Sequence, residues 1–143
     1  MKNILVTIDF DKGVNLIINK SVELAEQFNS KIWLMHIVAP DPEFVGYGVG
    51  PQYIRDFRAK DIRKEHQLLQ SYSDELQKKG INTESLLIQG PTIEMIIDES
   101  KKLAIDLIIA GHHEHGFLYN AFVGSTSGEI IKKSKIPVLI VPF

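Results

Sequence analysis

Cysteine is absent from the 143 residues. That removes disulfide frameworks, thiolate catalysis and cysteine-ligated zinc together, and it suits a reducing cytoplasm, the location expected here. Charge of one sign is lacking too: the formal charge is −2, and Lys and Arg are scattered along the chain. No global attraction to nucleic acid follows, and no nucleic-acid partner is expected. Long hydrophobic runs are missing as well. The opening MKNILVTIDFD has one lysine and reaches Asp9 and Asp11 before a signal-peptide core or membrane span forms, so it reads as a strand and no membrane insertion is expected.

What is present is ordinary globular usage, 44% hydrophobic and 24% charged, at the size of one domain spanning residues 1–143. Short β-branched apolar runs at 4–8, 32–38, 85–88, 107–110 and 138–141 alternate with segments of helical period. This pattern predicts an α/β fold, a five-stranded parallel sheet with helices on both faces. Val14, Ile18, Val22, Ala25 and Phe28 make one core-facing stripe, and Ile93, Ile96, Ile97, Ser100 and Leu103 another. Residues 52–79 place Ile54, Phe57, Leu69, Tyr72 and Leu76 on a polar background, a long amphipathic helix that Gly80 should stop. Residues 39–51 hold three prolines and three glycines, which resist helix and strand and make this segment a candidate lid. No internal repeat or linker is evident.

Ligands of open parallel sheets collect beyond the carboxyl ends of the strands. The first such end, Asp9-Phe10-Asp11-Lys12-Gly13, lacks both GxGxxG and GxxxxGK[ST], which argues against dinucleotide and P-loop sites. A phospho-receiver reading fails because the third strand ends in Gln89-Gly90-Pro91 and Lys135 precedes the last strand. No Ser-His-Asp order, GxSxG elbow, HExxH or helically spaced carboxylate pair supports an enzyme.

The most informative stretch runs from Leu107 through Gly111-His112-His113-Glu114-His115 to Gly124-Ser125-Thr126-Ser127. A glycine directly after a strand, followed by Gly-Ser-Thr opening a helix, offers unpaired N–H groups, hydroxyls and the positive end of the helix dipole to a phosphate. The plainer reading is that Ser125 or Thr126 caps the helix and Gly111 turns the chain. The adjacent histidines and Glu114 do not converge on one ion without help from elsewhere, so no metal site is expected. His36 reads as a satisfied half-buried side chain and His66 as a helix-surface residue.

These residues resemble the universal stress protein family. The chain has Ile4-Leu5-Val6-Thr7-Ile8-Asp9, then Leu34-Met35-His36-Ile37-Val38, a G-x2-G-x9-G-[ST] frame over residues 111–125, and a closing Ile136-Pro137-Val138-Leu139-Ile140-Val141-Pro142. The resemblance runs from end to end. It implies a three-layer, Rossmann-like fold of the adenine nucleotide alpha hydrolase type, and a stress-response regulator or sensor that binds ATP or AMP, with magnesium accompanying ATP. It would set Asp9 near the sugar, the Ile37 backbone against adenine, and Gly111, Gly124 and Ser125 against the phosphates. Gly90, Ala110, His112, Glu114 and Thr126 complete the candidate site. The motif's second glycine falls on Glu114, which would turn outward, hold a bridging magnesium, or mark loss of ATP binding. A homodimer through the last strand is implied too, since residues 138–143 form an apolar edge needing cover. The alternative is a dimeric interaction module of the same fold whose loop serves a protein partner.

Overall fold

Successive residues of a strand point to opposite faces, so the apolar runs decide which helix covers which side of the sheet. The structure, a computed structural model, describes residues 1–10, 12–38, 52–112 and 126–143. Strands β1 (Asn3–Thr7), β2 (Lys31–Val38), β3 (Thr83–Gln89), β4 (Leu107–His112) and β5 (Val138–Pro142) form one sheet in the order β3-β2-β1-β4-β5, parallel throughout. Helices α1 (Val14–Phe28), α2 (Gln52–Lys78), α3 (Thr92–Lys102) and α4 (Thr126–Lys133) connect and cover them.

Ile4, Val6, Ile32, Leu34 and Ile109 are fully shielded on one face, packed with Ile17 and Ala25 of α1 and Leu69 and Leu76 of α2. Leu5, Met35 and Ile108 fill the other face against Ile93 and Ile96 of α3 and Ile130 of α4. The expected three layers follow, since a parallel sheet is stable when both faces are covered.

Gly80 stops α2 as expected: its φ is +84°, its amide donates to the Gln77 carbonyl at 2.9 Å, and the Ile81 amide donates to the Leu76 carbonyl at 3.0 Å. Phe28 departs from the expected stripe. It is 52% exposed, because Ala25 is the last residue of α1 held in the core and the chain reverses through Asn29 at φ 51°. The fourth strand also runs further than its apolar run, pairing Gly111 with Val141 and His112 with Pro142. The candidate lid at 39–51 and the side chains of Ile54 and Phe57 lie outside the described residues.

From β1 the chain moves outward through β2 to β3, then crosses back to place β4 beside β1. The order thus reverses at the carboxyl ends of β1 and β4, which is where a ligand site is expected. Among the described residues no helix is long and apolar enough to cross a membrane.

Candidate functional site

The strand order lines up Gly90, Ile37, Asp9 and Gly111 along one carboxyl edge, bringing together candidate residues up to 102 positions apart in the chain. β1 and β4 are in register through Thr7 and Ala110, and the Thr7 hydroxyl donates to the Ile109 carbonyl at 3.4 Å. Beside them Ile37 pairs with Ile88, and the Gly90 amide donates to the Val38 carbonyl at 3.2 Å. Gly90 has φ +153°, and a Cβ there would stand 3.0 Å from the Met95 sulfur, so the entry to α3 needs glycine. Helices α3 and α4 both begin at this edge, where their first N–H groups lack intrahelical acceptors and favour an anion. Thr126 opens α4. Glu114, Gly124 and Ser125, like His113 and His115, lie outside the described residues.

Gly111 neither follows the strand nor turns the chain. It lies within β4, and a Cβ there would come 2.4 Å from Ile17 Cδ1 and 2.6 Å from the Phe143 ring. Glycine is demanded by packing beneath α1. The same ring would meet a Cβ at Gly13 at 2.2 Å, so Phe143 seals the corner between the start of α1 and the end of β4. Ala110 is buried, leaving backbone as what it offers a ligand.

A titratable group that the sequence pattern marks only as a satisfied half-buried side chain sits at the same edge. His36 is 8% exposed, stacks against Phe10 with ring centroids 4.5 Å apart, and donates from Nδ1 to the Ile8 carbonyl at 2.9 Å. Asp9 Oδ1 lies 3.5 Å from Nδ1 and Glu65 Oε2 3.6 Å from Nε2, so carboxylates from the β1 end and from α2 flank the ring. Burial opposes a charged imidazole, but the hydrogen bonds of Asp9 and the Ile8 carbonyl and the charges of Asp9 and Glu65 outweigh it and raise the pKa. No local pattern flags Glu65, because its meeting with His36 depends on where α2 crosses the sheet.

Because the folded pKa is raised, protonated His36 stabilises the fold fully below its unfolded value near 6.5, and this contribution fades as pH rises through the folded value. His36→Gln is therefore expected to flatten the decline of unfolding free energy above about pH 6.5. Equal pH slopes for the two proteins in urea titrations would contradict the charged pairing.

With this geometry in place, a sequence profile described as the universal stress protein family matches residues 1–142. The chain is 25% identical over 142 residues to universal stress protein A of Yersinia pestis, covering 99% of this chain and 91% of that protein. It is 24% identical to universal stress protein YxiE of Bacillus subtilis, covering 96% of each. Among solved structures, UspA from Lactobacillus plantarum superposes with a TM-score of 0.76 at 16% identity, over 98% of this chain and 97% of that one. A family protein from Arabidopsis thaliana with AMP bound gives 0.68 at 18% identity, over 99% and 92%. The Archaeoglobus fulgidus protein in complex with dAMP gives 0.68 at 17%, over 99% and 98%.

Proposed function

The chain belongs to the universal stress protein family, and we propose that its carboxyl-edge crevice binds an adenine nucleotide and acts as a stress-linked sensor or regulator rather than as an enzyme. The observation that carries this reading is the meeting of Asp9, Ile37, Gly90 and the end of β4 at the sheet's reversal. Nucleotide-bound relatives of the same fold support it.

The residues present fit such a ligand. The Asp9 side chain is 37% exposed and can accept from a sugar hydroxyl, and the opening turn of α4 directs N–H groups at phosphate. Gly124 and Ser125 would extend that cradle, and Glu114 or Asp9 would help hold magnesium when ATP is bound. β5 is an edge strand with Leu139 37% exposed, which suits closure of a homodimer along it.

Calorimetric titration with AMP and ATP, with and without magnesium, tests the reading. Saturable binding below millimolar concentration is expected, and heat from dilution alone would refute it. Glu114→Gly is expected to tighten ATP binding by about three- to tenfold through loss of like charge. Glu114→Gln separates that charge effect from backbone freedom, and weaker or unchanged ATP binding in both variants would contradict the role given to Glu114.

A second reading, a dimeric module serving a protein partner, is favoured by Glu114 at a glycine position of the phosphate motif. In that case AMP and ATP bind neither variant.

A further inference from the structure

We propose that His36 is a positioning residue for the nucleotide site argued above, on which this role rests: it fixes the peptide leading into Asp9, so that the Asp9 carboxylate selects nucleotides carrying sugar hydroxyls over those lacking them.

The end of β1 shows how one side chain sets another. The Ile8 amide donates to the Met35 carbonyl at 2.9 Å, continuing the pairing of β1 with β2 one residue beyond Thr7. The Ile8 carbonyl accepts from a side chain, His36 Nδ1, also at 2.9 Å. That carbonyl belongs to the peptide joining Ile8 to Asp9, and a planar peptide held at its oxygen fixes the direction in which the next residue leaves. Asp9 Oδ1 lies 3.5 Å from the same Nδ1. One ring nitrogen therefore holds the backbone before Asp9 and faces the Asp9 carboxylate.

The ring can position its neighbours because it is itself held. His36 is 8% exposed, Phe10 stacks on it with centroids 4.5 Å apart, and Glu65 Oε2 of α2 lies 3.6 Å from Nε2. Among the described residues, Asp9 and Glu65 are the charged groups that face it. The Asp9 side chain nevertheless stays 37% exposed, so a carboxylate oriented from the protein side is open to a ligand. An ionised carboxylate only accepts hydrogen bonds and repels phosphate, so it suits the hydroxylated part of a nucleotide. An acceptor already in place loses little freedom on binding, and a hydroxyl donating to a carboxylate is among the stronger hydrogen bonds.

The test is calorimetric titration at one fixed pH without magnesium, comparing AMP with its 2′,3′-dideoxy analogue, which lacks both sugar hydroxyls. The parent is expected to bind AMP about tenfold tighter than the analogue, the usual worth of a hydrogen bond to a charged group. His36→Asn keeps an N–H donor at the place of Nδ1 and should hold that ratio within about twofold, whereas His36→Gln carries its amide past that place and should cut the ratio to about threefold or less. A merely structural loss would weaken both ligands alike and leave the ratio unchanged. In an Asp9→Ala background His36→Gln should lower the ratio no further, because His36 acts through Asp9. A parent ratio near one, equal ratios in His36→Asn and His36→Gln, or a further fall in the Asp9→Ala background would each overturn the role of His36 while leaving nucleotide binding standing. Failure of the parent to bind either compound would overturn the nucleotide reading and this role together.

Discussion

Gly111→Val is expected to lower the unfolding free energy by about 1–3 kcal/mol, the usual cost of forcing extra carbon into a packed core. The first added carbon already falls 2.4 Å from Ile17 Cδ1 and 2.6 Å from the Phe143 ring. Ile17 is buried within the core cluster of α1 and the sheet, so its side chain has little room to retreat. Phe143 is only partly buried, so its ring is the more readily displaced. The strain should therefore be divided: Phe143→Ala in the Gly111→Val background should recover part of the lost stability, although alone it is destabilising. Urea denaturation of the four proteins reads this cycle. A Gly111→Val stability within about 0.5 kcal/mol of the parent would contradict the packing account of this glycine.

The second large effect concerns binding. Gly124→Val is expected to abolish the nucleotide-dependent rise in melting temperature. At a ligand concentration near one hundred times Kd, binding to the folded state adds about 2.7 kcal/mol, which for a domain of this size is a rise of several degrees. Gly124 is two residues before α4 begins, where β-branched bulk would crowd phosphate approaching the first N–H groups of that helix. The variant should melt normally without ligand and gain nothing from AMP or ATP. A retained rise would place the phosphates elsewhere.

These two glycines mark the boundary of what local sequence conveys. The runs containing Ile4, Leu5, Val6, Ile108 and Ile109 declare buried parallel strands through composition alone, and Gly80 declares its helix end, because both depend on neighbours in the chain. Phe28 obeys the helical period yet escapes burial, since the period cannot say where the covering sheet stops. Gly111 was legible as special, but its reason was not. The crowding comes from Ile17 and Phe143, one far upstream and the other at the chain's end, and only the fold brings them over β4. The same holds for His36, whose partner Glu65 arrives from α2, and for the unpartnered Ser100 hydroxyl, which sequence periodicity counts as one more position on a core-facing stripe. Site residues at strand ends were nameable because parallel topology dictates where those ends gather; their side-chain environments were not.

The adenine-nucleotide site proposed at the carboxyl ends of β1 and β4 can be mapped residue by residue. Backbone amide shift mapping of the uniformly labelled protein with AMP tests it most directly. Saturable shifts are expected at Asp9, Ile37, Gly90 and Gly111 and at the opening turn of α4, with the amides of Ile97 and Lys135 at the far end of the sheet unmoved. Shifts absent from those strand ends, or centred at the far end instead, would contradict it.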